Sequence, residues 1–414
     1  MSVRRVRVRN FKSFQDCEVE LGPFNVLIGA NASGKSNFVE VFRFLRDVAE
    51  HGLNNAISMQ GGVKYLRNIS LASAHNFQVE VLVEGGGILI PLGTQGDILI
   101  GLEPSQITYE LEISFKRAGL GFDIARERLV EACNVIRLNP GAKGVQESER
   151  LGQGRVTVLN VEGKVEVDQE LPPDLGEGLL GLFPRKQTLP PKTPFLEGLH
   201  GMIFGLRQVF RSVATYDFDP KLPKKATPYT GKADLEEDGS NLAIVLSNVI
   251  KDSEGKRKLS NLVRDLLPFV KDVGVQTFQD KTLLFKLKET YSSPEQYVPA
   301  TLISDGTIGM FALIVALHFQ SAALAIVEEP ERNIHPHLIV KVVRMMEEVS
   351  KKKQIVVTTH SADIVKHAGI QNLLFVKRDR EGFSTIYRPS AREDVTGFLS
   401  EELGIEDLYV QNLL

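Results

Sequence analysis

The chain has 414 residues, 43% of them hydrophobic and 24% charged, with a formal net charge of −3. This composition excludes a low-complexity chain and suits a folded protein with a large core. The slight negative charge excludes a global positive field for nucleic acid, and two distant cysteines, Cys17 and Cys133, fit neither a disulfide framework nor a zinc site.

The opening MSVRRVRVRNF is charged and has no apolar stretch behind it, so no signal peptide is expected. Within it, VRRVRVRN alternates valine and arginine, the period of a half-buried strand. FNVLIG (24–29) reads as a short buried strand ending in glycine, and GANASGKSN (29–37) follows at once. NFVEVFRFLRDVAE (37–50) then places Phe38, Val41, Phe42 and Leu45 on one helical face. From 76 to 170, FQVEVLVE, ITYELEISF and RVTVLNVEGKVEV alternate as antiparallel strands do. The Pro-, Gly- and Leu-rich stretch 171–194 reads as a connector. HGMIFGLRQVFRSVA, SNLAIVLSNVIKD and KLSNLVRDLLPFV read as helices, and VGVQTFQDKTLLFKLKE as a hairpin.

The last part returns to an α/β rhythm. TIGMFALIVALHFQSA is a helix, LAIVEE a buried strand, HPHLIVKVVRMMEEVSKKK a helix and QIVVTTH a second buried strand. ADIVKHA and NLLFVKRD complete a pattern that predicts a mainly parallel sheet. No apolar run reaches the roughly 18–20 residues that a membrane crossing needs. A reducing cytoplasm and no membrane partner are expected.

Glycine, four residues and then Gly-Lys-Ser is the spacing of a phosphate-binding loop. Gly29 and Gly34 allow the tight turn that aims backbone N–H groups at phosphate oxygens, with Asn31, Ser33 and Asn37 on the same loop. Lys35 would reach the β- and γ-phosphates of ATP, and the Ser36 hydroxyl would ligate Mg²⁺. LAIVEEPE supplies the carboxylates such a loop requires: Glu328 to orient the metal and Glu329 to polarise the attacking water. ISDGTIG (303–309), ahead of a helix, is a second anion-binding turn through Ser304 and Gly306. His360, at the end of a buried strand, can donate to a γ-phosphate.

In this order, NFKSF (10–14), GANASGKS, DGSNLA (238–243), ISDGT, EEPERNIHP (328–336) and TTHS (358–361) resemble ABC-type ATPase heads of the RecF/SMC/OLD-like group, often called AAA-21 ATPases. The likeness is specific over about residues 1–50 and 295–388. It implies an α/β P-loop NTPase with an ABC-ATPase-like head: a mainly parallel core sheet plus an antiparallel β lobe and a helical insertion. The ATP-binding core is expected as a discontinuous domain of 1–50 plus 295–388. The β lobe is expected over 51–170, the connector and helical insertion over 171–294, and a C-terminal tail over 389–414. The likeness further implies a homodimer in which Ser304 and Gly306 of one copy cover the γ-phosphate held by the other.

Several departures narrow the role. The signature reads SDGT where transporters have SGGQ, and it lies much further from the phosphate loop than in transport subunits. A glutamate stands at 328 where aspartate is commoner. The sequence does not assign the glutamine that links the two lobes of such heads; Gln60 and Gln78 are both candidates. No cysteine pair suits a zinc hook, no coiled coil joins the halves, and the tail leaves no room for a fused nuclease domain. The resemblance implies an ATPase switch in DNA repair or antiphage defence, acting on DNA or with a separate nuclease or other effector chain. A transporter subunit and a slow-turnover scaffold are the alternatives. For DNA, the basic stretches RRVRVR (4–9), KLPKK (221–225) and KDSEGKRK (251–258) are the candidate contacts, with solvated surface the alternative for each and for KKK (351–353).

Overall fold

Alternation at the amino terminus produces β1 (Ser2–Phe11), which buries Val3, Val6 and Val8 and turns its arginines to the opposite face. In chain order there follow β2 (Phe14–Glu20), β3 (Phe24–Ile28), α1 (Lys35–His51), α2 (Leu53–Met59), α3 (Val63–Leu66), β4 (Phe77–Glu84), β5 (Ile90–Gln95) and β6 (Ile98–Phe115). Next are β7 (Phe122–Gly141), β8 (Gly144–Val161), β9 (Lys164–Glu170), β10 (Lys186–Thr188), α4 (Phe195–Gly198), α5 (Phe204–Arg211), β11 (Val213–Tyr216), β12 (Thr227–Pro228), α6 (Leu242–Lys251) and α7 (Ser253–Leu266). The chain continues through β13 (Val270–Thr277), β14 (Thr282–Glu289), β15 (Val298–Pro299), α8 (Asp305–His318), β16 (Leu324–Glu328), α9 (Pro336–Ser350), β17 (Gln354–Thr359), α10 (Ala362–Ala368), β18 (Leu373–Arg378) and β19 (Ser384–Tyr387). The computed structural model describes residues 1–389 other than 69, 72–74, 86–89, 96–97, 117–120, 142–143, 173–185, 191, 199–203 and 294–295. Most of the expected connector and nearly all of the expected tail lie outside the described residues.

Two compact units divide the chain. Met1–Gly22, Ala32–Val213 and Lys377–Ile386 form the first; Pro23–Asn31, Ala214–Val376 and the residues from Tyr387 form the second. The first is built on an antiparallel sheet ordered β10-β9-β8-β7-β6-β4-β1-β2, with β5 on β6. β1 therefore pairs into the antiparallel sheet, between β2 and β4. The strands are longer than their alternating cores suggest: β6 and β8 each run 18 residues and β7 runs 20. β7 is absent from the pattern reading because RERLVEA is rich in good helix formers; pairing along both edges overrides that local preference.

In the same unit α1 buries more than one stripe: Phe38, Val39, Val41, Phe42, Phe44, Leu45, Val48 and Ala49 are all inside. Each fully buried large side chain of this kind contributes about 1.5–3 kcal/mol. Arg207 and Arg211 of α5 both donate to the Ala49 carbonyl at 3.2 Å, which satisfies the carboxyl end of α1.

The second unit holds the parallel sheet that the α/β rhythm predicts. Its strands run β11-β16-β17-β3-β18, with β16, β17, β3 and β18 mutually parallel. Their residues are buried on both faces, which is why they read as continuous apolar runs. α8 is buried almost all round, from Thr307 to Leu317, and forms the centre of this unit's core with α6, α9 and β14. β12, β14, β13 and β15 form a small antiparallel sheet whose β13–β14 hairpin matches the expected one. The segment expected as a helical insertion thus supplies α5, α6 and α7, but also the β11 to β14 strands.

Candidate functional site

The loop after β3 passes from the second unit (Gly29–Asn31) into the first (Ala32–Asn37). Gly34 has φ of +116°, a conformation that L side chains rarely adopt, and caps the start of α1. A Cβ there would also collide with the Ser384 side chain. The Ser384 hydroxyl donates to the Ser33 carbonyl at 2.6 Å and lies 2.8 Å from the Ser13 hydroxyl. A hydroxyl has one proton, and a carbonyl can only accept. Ser13 must therefore donate to Ser384, while the Asn37 amide donates to Ser13 at 2.8 Å. The result is a one-way relay, Asn37 to Ser13 to Ser384 to Ser33, that fixes the loop from behind. Arg378 adds a donor to the Ala32 carbonyl at 3.4 Å.

Two features of this loop suit a triphosphate. The Ser33 hydroxyl oxygen is buried without a protein partner, and Lys35 is buried at 8% exposure at the first position of α1. A lysine at a helix amino terminus and the helix's own N–H groups both favour an anion there. Ser36 is exposed. Asn37, expected among the binding residues, commits its amide to the relay. Ser13 sits in NFKSF and was legible only as part of that motif; Ser384, in an unremarkable strand, carried no signal at all.

Within the second unit, strand register gathers the other candidates. Ile28 of β3 lies opposite Thr359 of β17, and Glu328 of β16 opposite Thr358. Gly29–Asn31, Glu328, Glu329 and His360 therefore emerge at one end of the parallel sheet, the carboxyl end where open α/β sheets bind ligands. Glu329 has φ of +45°, and its N–H donates to the Thr358 carbonyl at 2.8 Å. Its carboxylate is held on both sides: His360 Nδ1 lies 3.2 Å from Oε1, and Arg332 donates to Oε2 at 3.1 Å. Burial pushes this carboxyl up, but Arg332 and His360 together outweigh burial and leave it below the usual value. Glu331 is the opposite case. Burial raises it despite a 2.5 Å hydrogen bond from the Thr359 hydroxyl, and its other oxygen is buried without a partner.

The serine turn belongs to this unit as well. Ser304 is the N-cap of α8; its Oγ accepts from the Thr307 N–H at 3.2 Å and lies 2.8 Å from the Thr307 hydroxyl. Asp305 and Gly306 form the first helical turn itself. A Cβ on Gly306 would run into the Asn333 carbonyl, so the glycine is required by packing against the turn that follows Glu329. Lys224 meets Asp305 at 2.5 Å and offsets its charge.

Several residues of the basic stretches have internal partners. Arg5 pairs with Glu80 and Glu18, Arg7 with Asp16 and Glu18, and Arg9 with Asp16. Lys258 donates to the His318 carbonyl at the end of α8, and Lys353 donates to Gln320. Lys251 reaches the Tyr229 hydroxyl at 3.3 Å. The arginines of β1 are thus paired with carboxylates across the sheet, and these three lysines are tied to a helix end, a loop carbonyl and a tyrosine hydroxyl. Of the two glutamines, Gln78 is used at both ends, by Glu110 and Arg9, whereas Gln60 binds Glu40 and leaves Oε1 buried without a partner.

Two family models match. Residues 1–86 match an AAA ATPase domain, and residues 191–366 match a model described as "AAA domain, putative AbiEii toxin, Type IV TA system". The DNA replication and repair protein RecF of Lactococcus lactis subsp. cremoris (strain SK11) is 25% identical over 96 residues. That stretch is 23% of this chain and only 24% of RecF. Among solved structures, an SMC head bound to the C-winged helix domain of ScpA aligns over 94% of this chain and 98% of its own, at 12% identity and a TM-score of 0.48. The SMC head domain from Thermotoga maritima aligns over 94% and 99%, at 14% identity and a TM-score of 0.44. Among the described residues, no helix is long and apolar enough to cross a membrane.

Proposed function

We propose that this chain is an ABC-type ATPase head of the RecF/SMC group, a reading supported by the two AAA family-model matches and the RecF likeness, and that it is a homodimerising ATPase that works as a nucleotide-driven switch. The single observation that carries this reading is the Glu329–His360 pair at the carboxyl end of the parallel sheet, level with the start of the phosphate loop. A carboxylate kept ionised beside an imidazole suits activation of water next to a phosphoryl group.

In this reading Lys35 and the loop N–H groups of Gly29 to Asn37 take the triphosphate, with Asn31 and Ser33 lining it. Ser36 and Glu328 are the residues that would hold Mg²⁺, which would supply charge neutralisation at the phosphates. Glu329 takes a proton from the attacking water, and His360 turns from Glu329 to donate to the γ-phosphate. Ser304 and Gly306, at the amino end of α8, face the triphosphate bound by a second copy, so ATP joins two heads and hydrolysis parts them. Cytoplasmic ATP would supply the switch. DNA repair or antiphage defence, with DNA or a separate nuclease or other effector as the object, is the setting this class suggests. With the arginines of β1 compensated, an effector protein is favoured over direct DNA contact through that strand.

The test is Glu329→Gln. Phosphate release should fall on the order of a hundredfold or more, while light scattering shows an ATP-dependent dimer that persists. Wild-type protein that releases no phosphate under any condition would favour the scaffold, and a variant that stays monomeric with ATP would remove the dimer.

A further inference from the structure

Glu329 leaves β16 in a left-handed conformation, so neither strand nor helix geometry sets the direction of its side chain. Lateral contacts must do so, and those described for its carboxylate are His360 on Oε1 and Arg332 on Oε2. The two are not equivalent. His360 is half exposed and, in the function proposed above, turns to the γ-phosphate during turnover. Arg332 is then the tie that stays.

Arg332 is itself anchored. One terminal nitrogen of its guanidinium donates to Glu329, while the other lies 3.0 Å from the Asp217 carboxylate and 3.4 Å from the Phe218 carbonyl. A planar fork that engages two carboxylates through separate nitrogens has its orientation determined at both ends. Asp217 is held in turn, because its N–H donates to the Glu237 carbonyl at 2.9 Å. It lies just after β11, the strand beside β16 in the sheet.

We propose that Arg332, anchored by Asp217, is a positioning residue for the ATPase reaction: it aims the Glu329 carboxylate while His360 is engaged elsewhere. Arg332 touches neither substrate nor metal in this assignment; it acts through Glu329. As an exposed ion pair it contributes little to stability, so its loss reads out in turnover rather than in folding.

The inference rests on the proposed function, and the experiment separates the two. Steady-state ATP hydrolysis is measured for wild type, Arg332→Ala, Arg332→Lys and Asp217→Asn, with thermal melting of each. Arg332→Ala should lower kcat at least tenfold and leave KM for ATP within twofold. Asp217→Asn, a change at a half-exposed side chain that keeps the arginine, should lower kcat by a smaller factor. Arg332→Lys should recover part of the loss, since it restores charge without the fork. An Arg332→Ala protein with wild-type kcat, with higher kcat, or with a change confined to KM overturns the assignment. Should Arg332→Ala fail to fold, Asp217→Asn decides: an unchanged kcat overturns it. Absent turnover in wild type would instead overturn the ATPase reading itself, and this inference with it.

Discussion

The Ser384 hydroxyl and the Ser33 carbonyl stand 2.6 Å apart, although some 350 residues of sequence separate them. Their bond ends the relay that begins at Asn37 and supports the phosphate loop from its protein side. Ser384→Ala removes the donor to Ser33 and the acceptor of Ser13 at once. A single net hydrogen bond contributes about 1 kcal/mol, so KM for ATP should rise roughly fivefold, with kcat within twofold of wild type. Titration with a fluorescent ATP analogue checks this; unchanged affinity would mean the loop holds its shape without the relay.

Lys224 and Asp305 make a second pair whose purpose is electrostatic. Asp305 stabilises the amino end of α8 but would repel a partner's triphosphate arriving at Ser304. Lys224→Met should weaken ATP-dependent association by about tenfold, equivalent to about 1.4 kcal/mol. Adding Asp305→Asn should restore it, because the charge that needed an offset is gone. Sedimentation in the Glu329→Gln background reads both; a double variant no better than the single would show that Lys224 acts by shape.

A third expectation concerns pH and the first unit alone. Glu127 accepts from the Tyr109 hydroxyl at 2.7 Å and from the Phe195 N–H, deep in the antiparallel sheet. Burial pushes its carboxyl up to about 8, against the pull of those donors. The folded chain thus keeps a proton that the unfolded chain loses near 4.5. Stabilisation from this group is complete below about 4.5, declines as pH rises and is spent above about 8, amounting to up to ~5 kcal/mol by linkage. Glu131, raised by burial to about 7, adds to the same slope. Urea unfolding at pH 5, 6, 7 and 8 should show stability falling with pH, and Glu127→Gln should flatten the fall. An equal slope in both proteins would reject the assignment.

What the sequence disclosed and what it hid follow from the range of the interactions. β3, the glycine turn and α1 are legible because each is dictated within a dozen residues: an apolar run, a left-handed glycine, a helical stripe. The parallel strands β16 and β17 read correctly because burial on both faces leaves uninterrupted apolar runs. β7 did not, since its arginines, glutamates and alanines favour helix until β6 and β8 pair with it. The relay through Ser13 and Ser384, and the arginine between Glu329 and Asp217, were invisible for another reason. Their partners meet only in the folded chain, and serine, aspartate and arginine are common at surfaces. The arginines of β1 look available in sequence, and the carboxylates that pair with them come from neighbouring strands that meet them only once the sheet has formed.

Gly306 has one more implication. With no room for even a methyl group between α8 and the Asn333 carbonyl, the helix that would greet a neighbouring copy and the bend carrying Glu329 have no play between them. In the proposed dimer, a displacement of that helix by the second copy would pass directly into the Glu329 bend, because the contact leaves no gap to absorb the stroke.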